Sequence, residues 1–550
     1  MSAAKKNDPR DVCIVGTART ACGSLQGKLS TIKATDLAAI AIKEAVVRAG
    51  VDPSAVEEVI LGHVLGAGVG QAPAKQAAIK AGLPNSIACT TVNKVCASGM
   101  KALVFGAQAI KLGLQDIIVV GGMESMSQAP HMSKKVRSGA RYGDLTFVDA
   151  IQSRHLTNPF ALWLKDGLFD AFEDVPMGDF AEECARKHNV SREEQDKFAA
   201  ESYRRALEAT RSGKFKNEIV PVEVTVRRGT PPIIVTEDEE VVAREVSFET
   251  MSKLRPCFKP SESFGPTVTP GNASPINDGA AALVLMSREK VEALGLTTNI
   301  KAVIRGFGDA SQEPRAFTTS PSLAIPKALA NAKIAQEDVD FYEINEAFAV
   351  VACANMKLLN LDPSRVNVYG GAVSIGHPLG CSGARIVITL CSVLEQENGR
   401  IGCAAVCNGG GVVGRKLRIV VTTLVASSGR KVQLSTYWMP GSPTTVIATS
   451  PIARPSVPAS VASSPELNVP FANAFGIVLD RSDMLTPSST LVEIKMITPP
   501  ATNWNTLTIT PTPTIIRICD ITIISRSSYR NESQLTTTFV GNMSSPSAAR

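Results

Sequence analysis

Several things are scarce or missing in this chain, and each absence narrows what it is. No stretch approaches the roughly 18 unbroken apolar residues of a membrane-spanning helix, so no membrane partner is expected. The twelve cysteines include no Cys-x-x-Cys pair and no metal-finger spacing, which excludes a zinc-finger or disulfide framework. Eleven of them fall within the first 407 residues, as small core side chains of a reduced protein would. The net charge of +6 sits entirely at one end: from Arg415 onward there are 12 Lys and Arg against 6 Asp and Glu. The body before it is neutral and offers no basic surface for nucleic acid. Residues Met1–Asp8 hold no apolar core of a signal peptide and no Arg/Ser-rich amphipathic stretch, and Ala548-Ala549-Arg550 is not a peroxisomal tripeptide. A cytoplasmic location is the default expectation.

What is present is ordinary globular chemistry, 44% hydrophobic and 20% charged, long enough for several cores. Residues 12–125 alternate β-branched runs with Ala-rich helical patterns, predicting strands at Val12–Gly16, Val59–Leu65 and Asp116–Val120 and helices at Ala34–Ala49 and Ser98–Leu112. That rhythm indicates α/β layers. Residues 126–250 are more polar and irregular and read as an insertion carrying a helical pair, Phe180–His188 and Arg192–Ser212. From about Phe264 the α/β rhythm resumes and runs to Gly414. A weak echo between Ser98-Gly99…Gly121-Gly122 and Ser382-Gly383…Gly409-Gly410-Gly411 suggests two similar halves. Past Gly414 the chain turns Ser/Thr/Pro-rich, with β-prone pieces at Arg418–Val425 and Ile515–Ile524.

Four short constellations carry chemistry. Cys96, in Val92-Asn93-Lys94-Val95-Cys96-Ala97-Ser98-Gly99-Met100, precedes a predicted helix, whose N-terminal dipole favours thiolate over thiol. Such a thiolate is an acyl acceptor, although a single Cys is more often a buried structural residue. His377, in Gly376-His377-Pro378-Leu379-Gly380, stands on a tight turn, suited to taking a thiol proton or donating to a carbonyl oxygen, or simply to shaping the turn. Cys407, in Cys407-Asn408-Gly409-Gly410-Gly411, ends a strand before glycines that admit a ligand to the backbone. No Lys-Ser/Thr follows, so it is not a phosphate loop of the Walker type, and a flexible turn is the plainer alternative. Asn345, in Asn345-Glu346-Ala347-Phe348-Ala349, follows a predicted strand at Phe341–Ile344. Its amide can cap a turn or hold a water.

Together and in this order, the four resemble the signature motifs of the thiolase family. Gly70-Gln71-Ala72-Pro73, Gly121-Gly122-Met123-Glu124-Ser125-Met126-Ser127 and Asn272-Ala273-Ser274-Pro275-Ile276-Asn277-Asp278-Gly279-Ala280-Ala281 add to the likeness, which spans about residues 10–411. The wording around Cys96 is similar to the acetoacetyl-CoA type. Long-chain degradative members tend towards Arg-Gln-Cys-Ser-Ser there.

The resemblance implies an α/β fold of two similar halves in a layered core with an inserted loop domain. Residues 10–127 and 251–297 would form the N-terminal half, 128–250 the loop domain and 298–414 the C-terminal half, with 415–550 an irregular tail. It implies condensation of two acetyl-CoA into acetoacetyl-CoA and CoA by a reversible ping-pong route, feeding the mevalonate pathway. Cys96 would be the nucleophile, His377 would take its proton, and Cys407 would remove the Cα proton. One oxyanion hole would be His377 with a water on Asn345, and the other the backbone N–H groups of Cys96 and Gly409. Met177, Tyr203, Ser274 and Phe348 would contact substrate. Tyr203, Pro270, Gly271, Ala273 and Val373 resemble a potassium site. Coenzyme A enters as substrate and product, no prosthetic group is implied, and a homotetramer is expected.

The chain departs from the family in three places. Pro176 stands where a His is often found beside Met177. Ser153–Leu164 has no counterpart. After Gly411 a buried apolar strand is due, and Val412-Val413-Gly414-Arg415-Lys416 leads into the foreign tail instead. The last two read as translated intron or frameshifted sequence, and Arg418–Val425, β-branched and mostly apolar, is a candidate to substitute for the missing strand. Two other readings follow: a catalytically impaired product of the same gene, and a broader-range 3-ketoacyl-CoA thiolase.

Overall fold

The computed structural model describes residues 8–151 and 167–407, apart from scattered positions between 134 and 146 and breaks at 174, 226–228, 244–245 and 259–264. It also describes a strand at 418–426 and short strands between 435 and 541. The insertion Ser153–Leu164, Gly409 and the segment Ile515–Ile524 lie outside the described residues. The chain divides into two compact units, Met1–Ser428 and Gly429–Arg550.

The first unit is organised by one mixed sheet. Its strands are β1 (Val12–Arg19), β2 (Glu58–Gly62), β3 (Ala88–Val92), β4 (Ile117–Ser125), β5 (Asn277–Ser287), β6 (Ala302–Gln312), β7 (Phe341–Ile344), β8 (Ile401–Ala405) and β9 (Arg418–Ala426). Their order is β7-β8-β9-β6-β1-β5-β4-β2-β3, with the two-residue strand Gly23–Ser24 added on β5. The outer strands on each side run parallel, β7-β8-β9-β6 and β4-β2-β3. The middle is antiparallel, and β1 meets β6 over only Val12–Ile14 and Ala302–Ile304. Two α/β halves therefore join along a short seam. β1, β4 and β5 are buried at every position, as strands covered on both faces must be.

The helices that matter for the site are α1 (Ala34–Ala49), α2 (Ser98–Lys111), α3 (Met177–Lys187), α4 (Arg192–Arg211), α5 (Ala349–Leu359) and α6 (Leu379–Gln396). α1 matches its predicted span and ends on Gly50 in the left-handed conformation, a frequent helix stop. α6 is buried from Leu379 to Leu394. It is apolar nearly all round because it runs through the interior against α2, β4 and β5. No described helix is long and apolar enough to cross a membrane.

β9 is the consequential element. It lies between β8 and β6, pairing Gly402 with Ile419 and Val303 with Arg418. Arg418–Val425 therefore occupies the place of the strand the family pattern calls for, although it belongs to the atypical tail by composition. Beyond Ser428, the described residues of the tail are short strands. Five of them form one sheet (Ser435–Thr436, Thr444–Ile447, Gly476–Leu479, Thr490–Ile497, Thr536–Gly541), and Leu467–Pro470 pairs with Thr506–Ile509.

Candidate active site

The site forms where the ends of β3, β7 and β8 face the turn ahead of α6. Val95 adopts a left-handed backbone at φ 48°, a conformation that costs a β-branched residue of order 1–3 kcal/mol. The strain is braced locally: the Asn93 side chain accepts from the Val95 N–H at 3.0 Å, and the Ser98 hydroxyl oxygen accepts from the Lys94 N–H at 2.8 Å. Cys96 is thereby presented between β3 and α2.

Cys96, His377 and Cys407 line one cavity of about 980 Å³. Met177, Ser274 and Phe348 line it as well, and so does Pro176 at the departure from the family pattern. The Ser274 segment runs against the Asn345–Ala349 segment: Ser274 N–H and hydroxyl both reach the Ala347 carbonyl, at 3.1 and 2.9 Å. Asn345 is buried beneath the wall, with Nδ2 3.5 Å from His377 Nε2. Its Oδ1 is buried without a partner among the described residues, which suits it to holding a water. Tyr203 does not line the cavity. It packs with Val373, Met251 and Ala349 instead.

The protonation pattern differs from what a helix N-terminus alone suggests. α2 begins at Ser98, and Cys96 lies beyond its cap, half-buried against the cavity wall. Burial pushes the Cys96 thiol up to about 12, opposed by its own backbone N–H and reinforced by the charge of Glu124. Desolvation thus outweighs the dipole. Burial likewise drives the Cys407 thiol well upward, with a contribution from Cys96. Both cysteines rest as thiols. His377 is pushed down to about 3, by burial first and then by the Arg385 charge, so its imidazole is neutral. The Ser382 hydroxyl lies 2.8 Å from the Pro378 carbonyl, which can only accept, and 2.6 Å from His377 Nδ1. Ser382 therefore donates to Pro378 and accepts from Nδ1–H. That fixes the tautomer and leaves the Nε2 lone pair facing the site. The His377 backbone N–H is held by Asn277 Oδ1 at 2.9 Å.

Sequence reading missed Ser382, Asn277 and the buried pair His63 and Glu124, although Ser382, Asn277 and Glu124 stand inside motifs it singles out. Glu124 and Asn277 work by hydrogen bonds across 59 to 256 positions, which no local pattern reveals, whereas Ser382 bonds within its own segment, to Pro378 and His377. Three of the five predicted potassium residues share one neighbour. Tyr203 and Val373 pack on Met251, and Gly271 stands against the same side chain. A tyrosine hydroxyl and backbone carbonyls make a neutral oxygen set, the chemistry a weakly bound hard cation takes.

The fold and this cavity are those of a thiolase, and the chain belongs to that family. Its residues 12–289 match the model of the thiolase N-terminal domain and 298–419 that of the C-terminal domain. It is 54% identical to acetyl-CoA acetyltransferase 2 of Arabidopsis thaliana over 404 residues, 74% of this chain and 96% of the relative. Against the cytosolic acetyl-CoA acetyltransferase ERG10 of Gibberella zeae it is 52% identical over 400 residues, 73% and 96% of the two chains. The crystal structure of the Bacillus anthracis acetyl-CoA acetyltransferase resembles it with a TM-score of 0.67 at 36% identity, over 72% of this chain and 95% of that one.

Proposed function

We propose that this chain is an acetyl-CoA C-acetyltransferase that condenses two acetyl-CoA into acetoacetyl-CoA and CoA, and runs the reverse thiolysis. The observation that carries this is the meeting of two thiols and a neutral imidazole in one cavity, supported by the names of the relatives.

The steps follow from the proton inventory. The Nε2 lone pair of His377 takes the Cys96 proton, and the thiolate attacks the thioester carbonyl of the first acetyl-CoA. Cys407 protonates the departing CoA thiolate and is left as a thiolate whose raised pKa makes it a strong base. It then takes the Cα proton of the second acetyl-CoA. The enolate oxygen rests on protonated His377 and a water on Asn345. The enolate carbon attacks the acetyl carbonyl on Cys96, with the backbone N–H groups of Cys96 and Gly409 receiving the oxyanion. The C–C bond forms, the C–S bond to Cys96 breaks, protonated His377 returns its proton to the Cys96 thiolate, and acetoacetyl-CoA leaves. Met177, Ser274 and Phe348 would hold the pantetheine arm. Tyr203, Pro270, Gly271, Ala273 and Val373 would hold a potassium ion, which would stiffen the Ala273–Ser274 segment. A homotetramer, a cytoplasmic location and a place in the mevalonate pathway belong to the same reading. The location has the support of the cytosolic relative.

Purified full-length chain should cleave acetoacetyl-CoA with free CoA, and faster than a long-chain 3-ketoacyl-CoA. Absence of thiolysis would overturn the reading, and a preference for the long chain would move it to the broader-range class. Against the impaired-product alternative, the pairing of β9 on both sides supports a chain whose sheet is complete behind Cys407.

A further inference from the structure

Glu124 ends β4 with no exposure to solvent, and a buried carboxylate is tolerated only where hydrogen bonds replace its water. Four donors do so. Oε2 accepts from the Val64 N–H at 3.1 Å and the Gly380 N–H at 2.9 Å, and Oε1 from the Leu65 N–H at 3.1 Å. His63 Nδ1 stands 3.1 Å from the same Oε1 and 3.2 Å from the Met123 carbonyl. Both of those are acceptors, so Nδ1 carries the hydrogen, while Nε2 is buried without a partner among the described residues.

These donors come from separate segments. Val64 and Leu65 follow β2 and pack with Leu379 in the apolar cluster that backs Cys96. Gly380 closes the turn that carries His377. The turn is pressed so closely onto the sheet that its Gly380 carbonyl would overlap a Cβ on Gly122 and stand 2.8 Å from one on Gly99. Space thus limits the turn on one side, and the Glu124 carboxylate is the polar tie on the other.

We propose that Glu124 is a positioning residue: its one carboxylate pins the segment behind Cys96 and the turn bearing His377 to each other, with His63 as its fourth donor. Glu124 does not line the cavity and acts through His377. Its charge also reaches Cys96 and Cys381, raising both thiols after burial has done so. Burial pulls the His63 imidazolium down, but the Glu124 hydrogen bond and charge outweigh it and the net shift is upward.

The proposal rests on the thiolase reading, so its test has a second readout that needs no CoA. Glu124→Gln, His377→Gln and the double variant are compared for acetoacetyl-CoA thiolysis and for the rate of Cys96 alkylation by iodoacetamide at about pH 7.5, followed by peptide mass spectrometry. Glu124→Gln should lower thiolysis about 30-fold with KM within about 3-fold, because displacements near 1 Å cost about that order, and should lower alkylation by a smaller factor, still above about 3-fold, because the variant also removes the charge that raises the Cys96 thiol. The double variant should be no worse than His377→Gln within about 3-fold, as expected for residues acting through one another. Additive losses, or a Glu124→Gln rate within about 3-fold of the parent, would overturn the proposal. If Glu124→Gln does not fold, His63→Gln, which leaves three of the four donors, replaces it in the same cycle, with a smaller loss expected and the same two outcomes overturning the proposal. A parent chain without thiolysis refutes the reaction and leaves the alkylation cycle to judge the tether.

Discussion

The two cysteines of the site stand in different surroundings, Cys96 partly exposed and Cys407 buried. Cys96 sits on a strained turn braced by Asn93 and Ser98 and backed by a polar tie from Glu124. Cys407 sits just past the end of β8, in an apolar cluster with Phe180, Phe317, Ala347 and Val351. One neighbourhood is built from hydrogen bonds that hold a position, the other from a wall that withholds water. Both raise a thiol pKa, but to different ends. In the proposed reaction Cys96 needs a partner that removes its proton on demand, the role proposed for neutral His377. Cys407 needs to be a strong base once deprotonated, which its dry surroundings ensure.

The largest test separates these roles. Cys96→Ala should abolish formation of the acetyl-enzyme and reduce turnover by more than about 10⁴-fold. Cys407→Ala should still gain one acetyl group on Cys96 from acetyl-CoA but fail to condense. Intact-mass spectrometry and a turnover assay read both. A condensing Cys407→Ala variant would erase the distinction between the two thiols.

The scaffold behind Cys407 is next. A chain ending at Ala426 keeps β9, and one ending at Lys416 removes it from between β6 and β8. The first should fold and turn over like the full chain. The second should lose its cooperative melting transition, because the ladders lost on both sides leave β6 and β8 unpaired within the sheet. Circular dichroism melts decide. Equal melts would show that β9 is dispensable and that β8 is covered by other means.

Much of this is legible in the sequence, and for identifiable reasons. Helices such as α1, α2 and α4 repeat apolar residues at helical spacing, so their spans are readable to within a residue at each end. The four motifs place the reactive side chains because turns and helix starts are local. β9 is readable as a strand but not as a member of this sheet, since composition assigns it to the tail while pairing is decided by β6 and β8. The thiol pKa values are not legible, because a helix dipole is a local feature and the burial that overrides it comes from the whole wall. Glu124 and Arg19 escape sequence reading for the same reason: their partners are remote in the chain. Arg19 illustrates it. Fully buried, it meets Glu218 at 2.7 Å and grips Asp238 with both terminal nitrogens at 2.8 and 3.0 Å. Arg19→Met should cost about 3–5 kcal/mol in urea unfolding, because it strands two buried carboxylates. A loss below about 1 kcal/mol would mean that water replaces the guanidinium.

The smallest effect contrasts the two buried histidines. His377 has its pKa pushed down from 6.5 to about 3, so below pH 6.5 the unfolded chain binds a proton that the folded chain refuses. Its share of stability is complete above 6.5 and drains as pH falls toward 3, at about 1.4 kcal/mol per unit. His63 has its pKa raised, despite burial, by Glu124. Its share is present below 6.5 and is lost as pH rises through the raised value. Removing each histidine should therefore change the pH profile on opposite sides of 6.5. His377→Gln should flatten the decline in urea midpoint as pH falls from about 6.5 to about 5, and His63→Gln should remove a loss of stability that the parent shows as pH rises above about 6.5. Parallel curves for the two variants would show that one of these rings does not titrate as its surroundings dictate.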